Sequence, residues 1–317
     1  MTMLLILIGL VGLWIGTKLI INGSLGIAKK FNLSHSFVGI AILAVGTDLP
    51  EVFVSISASI SHLKGVESSG IITGNAIGSA ISQITIILGI AGLLLNFRMT
   101  KTDLLRDGSA LIISIILLFI FGMDGVIIRI EGIALLVLYL LYYYIIVKNN
   151  NNHSDDNTNL KEYSNLALFL FLLFGFPILI FSSHFVVENA MSLAQKWGVA
   201  QSFVGIVIIG LGTSLPELAV SIGAAIRRSG GLSVGNIIGS NIFDGFVPIG
   251  LGGVISTANI ESGFLKFDLP FLLGVTILVL LFLISKRGVS RIEGIIMIFL
   301  FLLYVALKLI LFEKIFN

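Results

Sequence analysis

The sequence predicts an all-α polytopic membrane protein with ten transmembrane helices arranged as two inverted five-helix repeats. Three observations carry that prediction. The 317 residues are 56% hydrophobic and 11% charged, whereas a soluble domain carries about a quarter charged residues. Apolar runs of about twenty residues, the length that crosses a bilayer, recur from end to end. Two stretches are near-copies of each other. The first reads Ser36-Phe37-Val38-Gly39, Gly46-Thr47-Asp48-Leu49-Pro50-Glu51 and Gly74-Asn75-Ala76-Ile77-Gly78-Ser79. The second reads Ser202-Phe203-Val204-Gly205, Gly212-Thr213-Ser214-Leu215-Pro216-Glu217 and Gly235-Asn236-Ile237-Ile238-Gly239-Ser240.

In chain order the spans are expected at 3–24, 36–61, 70–95, 107–123, 126–147, 165–187, 201–226, 232–257, 268–285 and 292–312. The chain begins directly in apolar sequence, without the basic segment and small-residue cleavage site of a signal peptide, so Met3 to Leu13 is read as part of the first span. Residues 148–164 are rich in Asn, Asp and Ser and read as a flexible polar linker. They separate a first five-helix repeat (1–147, with its motif at 36–95) from a second (165–317, with its motif at 201–257).

The halves match beyond the two motifs. Ala28-Lys29-Lys30-Phe31 recurs as Ala194-Gln195-Lys196-Trp197, and Arg129-Ile130-Glu131-Gly132 as Arg291-Ile292-Glu293-Gly294. Five is odd, so the second copy must enter the membrane upside down. With both termini outside, the inner loops collect Lys29, Lys30, Arg98, Lys101, Arg106, Lys148, Lys161, Arg227, Arg228, Lys286, Arg287 and Arg291, and the outer segments half as many cations. The excess of positive charge on inner loops therefore predicts a multi-pass cell-membrane protein with extracellular termini.

Each motif reads as a helix that breaks. Pro50 and Pro216 lack an N–H, and their rings clash with the carbonyls of Gly46 and Gly212. Carbonyls near Ala44 to Thr47 are expected to lose helical partners and to face a cavity, the only setting that tolerates them at such depth. Thr47 and Glu51 are i and i+4, and Asp48 and Glu51 i and i+3. Thr213, Ser214 and Glu217 repeat the spacing, while Ser79 with Gln83 and Ser240 with Asp244 are further i, i+4 pairs. Gly74, Gly78, Gly235 and Gly239 permit close helix approach. The pooled donors are all hard oxygens, which suit Ca²⁺ with Na⁺ as an alternative occupant.

Several blander readings compete. A Gly and Pro kink alone is most often structural, and a single buried Glu can be a hydrogen-bonded core residue; duplication at equivalent places argues against both. Asn75 and Asn236 are left open between helix capping and ion binding. Tyr142-Tyr143-Tyr144 reads as an interfacial aromatic belt. With no Cys, four scattered His and a net charge of +2, nothing points to a thiolate metal site, a disulfide or nucleic acid. An intramembrane aspartyl protease using Asp48 and Asp244 would leave the duplicated Glu unexplained and lacks the Gly-x-Gly-Asp signature. No enzyme is expected.

The paired Gly-Thr-x-Leu-Pro-Glu and Gly-Asn-x-Ile-Gly-Ser segments resemble the α-repeats of the Ca²⁺/cation antiporter superfamily, and in particular prokaryotic sodium/calcium exchangers, over essentially the whole chain. The resemblance implies spans 2, 3, 7 and 8 packed around the site, with spans 1 and 6 sliding across them. It implies Glu51 and Glu217 as central ligands, Thr47 and Thr213 beside them, and Ser79, Ser214 and Ser240 as hydroxyl ligands. Asp244 matches the acidic residue of the second repeat, and Ala44 and Gly210 fall where the family offers backbone carbonyls. Asp48 stands where these exchangers usually have Ser, and Gln83 where they usually have Asn. Four carboxylates in a dry site repel one another, so a proton, K⁺ or an altered stoichiometry is an alternative to simple exchange. The implied function is Na⁺/Ca²⁺ antiport by a monomer in the lipid bilayer, with no cofactor beyond the transported ions.

Overall fold

The computed structural model describes residues 2–66, 68–94, 100–149, 163–197, 210–286 and 288–316. The first half comprises α1 (Thr2–Phe31), α2 (His35–Leu63), α3 (Ser69–Leu94), α4 (Lys101–Phe121) and α5 (Arg129–Lys148). The second comprises α6 (Asn165–Lys196), α7 (Gly210–Thr213 and Leu215–Ile226), α8 (Gly230–Ile255), α9 (Phe264–Ser285) and α10 (Arg291–Phe316). Among the described residues, nine of these are long and apolar enough to cross a membrane, α7 being described only from Gly210. The expected start of the seventh span, with Ser202-Phe203-Val204-Gly205, lies outside the described residues, as does most of the expected linker.

Two boundaries move for local reasons. Helix α1 runs to Phe31 rather than 24, because Leu25 and Ala28 are buried while Lys29 and Lys30 stay exposed in its last turn, where cations favour a helix end. Helix α4 begins at Lys101 rather than 107, because Thr100 Oγ1 accepts the Asp103 amide at 3.1 Å as an N-cap. One feature escaped the periodicity: β1 (Val126–Ile127) pairs antiparallel with β2 (Ala258–Asn259).

The contacts put the two copies of Arg-Ile-Glu-Gly at opposite faces, as an inversion requires. Strand β1 leads into α5, and β2 follows the end of α8, so both lie at one face of the bundle. Thr73 near the start of α3 donates to the Asn259 carbonyl at 2.8 Å, which puts that start at the same face. The other end of α3 meets the start of α10: a Cβ on Gly294 would lie 2.7 Å from the Gly89 carbonyl oxygen. A Cβ on Gly132, at the start of α5, would lie 2.6 Å from the Gly250 carbonyl oxygen of α8. The repeated Arg-Ile-Glu-Gly thus performs one task at opposite faces. In each copy its Glu also caps its own helix, Glu131 accepting the Ile128 amide at 2.9 Å and Glu293 the Ser290 amide at 2.6 Å.

Helices α8 and α3 form the centre, with 83% and 72% of their spanning windows buried against 33% for α1. Helices α1 and α6 run antiparallel, Gly9, Gly16 and Gly23 facing Val186, Leu179 and Leu172 in turn. In lipid, where apolar surface gains little by leaving the tails, such small residues permit the close packing that holds helices together. Their apolar contacts join Val220 and Ala224 of α7 in a cluster separate from the larger one built on α3, α4, α5, α8, α9 and α10.

Candidate cation site

The two broken helices have matching breaks. In α2, a π-helical stretch (Gly39–Ala44) and one short turn (Val45–Thr47) lead to Asp48 at φ −83°, ψ 4°, after which helix resumes at Leu49. In α7, Ser214 at φ −90°, ψ 11° separates Gly210–Thr213 from Leu215–Ile226. Both residues occupy the sparsely populated bridge region. Pro50 and Pro216 then sit in the first turn of the resumed helix, where a missing N–H costs nothing. The carbonyls of Gly46 and Gly212 have no donor four residues on. The Ala44 carbonyl, expected to be freed, keeps its partners: it accepts the Asp48 amide at 3.0 Å and the Thr47 hydroxyl at 3.3 Å. The break falls at Asp48, one turn too late to release it.

The breaks aim carboxylates at one another. Asp48, Glu51 and Glu217 are fully buried, and one oxygen from each lies within 4.8 Å of the other two. An equilateral triangle of 4.8 Å edges has its corners about 2.8 Å from its centre, close to the 2.3–2.6 Å of Ca²⁺–oxygen bonds. Both oxygens of Asp48 and of Glu217, and Oε2 of Glu51, lack a well-formed hydrogen bond among the described residues. Buried carboxylates without donors are costly and mutually repulsive, and a cation between them relieves both penalties.

Helices α3 and α8 complete the surroundings. Ser79 Oγ lies 2.9 Å from Ser214 Oγ and 3.4 Å from Glu51 Oε1, and accepts from Gln83 Nε2 at 3.0 Å. Gln83 Nε2 also donates to Asp244 Oδ2 at 3.1 Å. Asp244 is fully buried but lies outside the group of three, so three of the four expected carboxylates converge and the fourth is joined to them through Gln83 and Ser79. Ser240 is buried one turn before Asp244, its Oγ unpartnered among the described residues. Thr213 and Gly210 lie on the first piece of α7.

Backbone contact between α2 and α8 brings the halves together. A Cβ on Gly39 would lie 2.7 Å from the Leu232 carbonyl oxygen, and one on Gly235 2.5 Å from that of Ser36. Neither Asn75 nor Asn236 caps its helix, since Ser68 and Ser229 hold those positions. Asn236 instead donates to Ser221 Oγ at 3.1 Å, and its Oδ1 lies 3.4 Å from Thr47 Oγ1.

Two groups of residues were missed by the motif reading. Asn241 donates to Gln83 Oε1 at 2.9 Å, but its first-repeat counterpart is Ala80, so duplication gave no signal. Asp107 on α4 and Asp268 on α9 are buried and bonded to Tyr142 (3.1 Å) and Tyr304 (2.6 Å). Cations complete each cluster, Arg106 beside Asp107 and Lys308 beside Asp268. Their signal was present in the sequence, because the two Asp–Tyr pairs recur at nearly the same repeat offset, 161 residues for the Asp and 162 for the Tyr. Tyr142 is therefore a buried hydrogen-bond donor and not part of an aromatic belt, while Tyr144 is exposed.

Fold and site together define a helical membrane protein of inverted repeats, with an oxygen-only constellation suited to hard cations where two broken helices meet. Comparison with known proteins agrees. Residues 1–148 and 167–310 match the sodium/calcium exchanger protein family, and the chain belongs to it. It is 31% identical over 301 residues to an uncharacterized membrane protein of Methanocaldococcus jannaschii, spanning 95% of each chain. It is 28% identical over 352 residues to the sodium/calcium exchanger MaX1 of Methanosarcina acetivorans, spanning 98% of each. The fold superimposes on the sodium-calcium exchanger NCX_Mj with a TM-score of 0.82 at 30% identity, covering 96% of this chain and 99% of that one.

Proposed function

We propose that this chain is a secondary antiporter exchanging Na⁺ for Ca²⁺, with both ions competing for the Asp48, Glu51 and Glu217 carboxylates. The observation that carries the reading is the meeting of these three buried groups within 4.8 Å at two matching helix breaks. Antiport follows from sharing. Ca²⁺ and Na⁺ compete for the same oxygens, and empty carboxylates are too costly to carry across the bilayer, so each passage needs a neutralising load. Among the described residues α1 and α6 contribute no apolar residue to the main core and pack instead in the smaller cluster with residues of α2, α7 and α8, which supports a sliding step that exposes the site to alternate sides.

Two finer statements belong to the same proposal. Both termini face outward, as the loop cations favour, and the functional unit is a monomer. Because the chain has no Cys, single cysteines introduced beside Thr2 or in the Arg227–Ser229 turn can be labelled from one side only. Labelling of the former from the cytoplasmic side would refute the orientation. Asp48 favours a second reading, in which K⁺ or H⁺ accompanies exchange to balance the third converging charge.

Radiolabelled Ca²⁺ uptake into proteoliposomes, under imposed Na⁺, K⁺ or H⁺ gradients at clamped voltage, tests both. Uptake driven by a Na⁺ gradient alone is the expected result. Uptake that requires K⁺ or H⁺, and loses that requirement in Asp48→Ser, supports the second reading. Absence of gradient-driven Ca²⁺ uptake under every condition overturns the proposal.

A further inference from the structure

We infer that Asn241 is a positioning residue which, through Gln83, keeps a hydrogen-bond donor on Asp244 and so weakens the negative field that this fourth carboxylate puts on the cation. The inference rests on the reading of the carboxylate cluster as the transport site. It begins at a group whose chemistry is not in question. The Ile237 carbonyl is an acceptor, so the Asn241 atom 3.1 Å from it is the amide nitrogen. The same nitrogen lies 2.9 Å from Gln83, which must present its oxygen there. The nitrogen of Gln83 then points the other way, 3.1 Å from Asp244 Oδ2 and 3.0 Å from Ser79 Oγ. One backbone carbonyl thereby orients two side-chain amides in sequence.

The consequence bears on Gln83, whose amide oxygen the donor inventory counted as a ligand. That oxygen is occupied by Asn241, and Gln83 offers an N–H, which a cation avoids. Asp244 takes this donor at the edge of the group formed by Asp48, Glu51 and Glu217. Asn241 and Asp244 also line, with Ser114 of α4, a cavity of about 10 Å³, room for a single water. Asp244 therefore addresses a compartment between α3, α4, α8 and α9 as well as the cluster. Removing the Asn241 amide frees Gln83 to turn, deprives Asp244 of its donor and strengthens the negative field that Asp244 already puts on the cation. A divalent ion gains twice as much from that charge as a monovalent one, so the balance moves toward Ca²⁺.

The test is ⁴⁵Ca²⁺ binding to the purified full-length protein in detergent, with Na⁺ as competitor. Asn241→Ala should raise the Na⁺ concentration needed to displace Ca²⁺ by roughly tenfold, within the range of coupled neighbours. Gln83→Leu should reproduce the shift, and carries the test alone if Asn241→Ala does not fold. Asp244→Asn should cancel it: the double variant Asn241→Ala with Asp244→Asn should match Asp244→Asn alone. An unchanged ratio in both single variants overturns the inference, as does a shift that persists without the Asp244 charge. Full Ca²⁺ binding in Glu217→Gln would instead sink the transport-site reading, whatever Asn241 does.

Discussion

Replacing Glu217 with Gln keeps shape and removes one of three converging charges. Two unit charges about 4 Å apart interact by about 4 kcal/mol at an effective dielectric of 20, so a divalent ion loses about 8 kcal/mol of attraction. The remaining amide oxygen still coordinates and recovers part of this, leaving about 4 kcal/mol, or roughly a thousandfold in Ca²⁺ affinity. Na⁺, with half the charge, should lose about 2 kcal/mol, or roughly thirtyfold. Glu217 sits within 4.8 Å of Asp48 and Glu51 and has no well-formed hydrogen bond among the described residues. Its neutralisation relieves repulsion and strands no donor, so thermal stability in cation-free detergent should not fall. Isotope binding with Ca²⁺ and with Na⁺ gives both affinities in one preparation. Equal losses for the two ions, or a Ca²⁺ loss below about tenfold, would refute the electrostatic account of the site.

The flanking helices carry two further predictions. Among the described residues, Lys308→Met leaves the fully buried Asp268 with only the Tyr304 hydroxyl, so stability should drop by about 3–5 kcal/mol. Asp268→Leu in the same protein should recover most of it, and a loss under about 1 kcal/mol in a thermal melt of Lys308→Met would show the pair to be dispensable. Gly132→Val and Gly294→Val each drive a side chain into backbone across the repeat boundary and should cost at least 1–3 kcal/mol each. Strong damage from one with indifference to the other would count against equivalent roles for the two copies.

Much of this architecture was legible because its causes are local. Pro50 and Pro216 break their helices wherever they are placed, since a ring without an N–H needs no tertiary partner to act. The apolar runs declare spans because the bilayer demands self-satisfied backbone. Duplication then multiplied weak signals, so that Glu51 beside Glu217 meant more than either alone. Even the Asp107–Tyr142 and Asp268–Tyr304 pairs repeat to within one residue, although the motif reading passed over Tyr142 in favour of an aromatic belt.

The detail of the site depended on contacts between distant residues. Asp48, Asp244 and Gln83 all looked like candidate ligands from their spacing, because an i, i+4 relation says which face a side chain occupies and not which atom it offers. Which carboxylates converge depends on how the two halves pack, as where Gly39 of α2 meets Gly235 of α8. Whether Gln83 presents oxygen or nitrogen is settled by Asn241, 158 residues away. An amide is donor and acceptor at once, and only the neighbour it meets in three dimensions chooses between them.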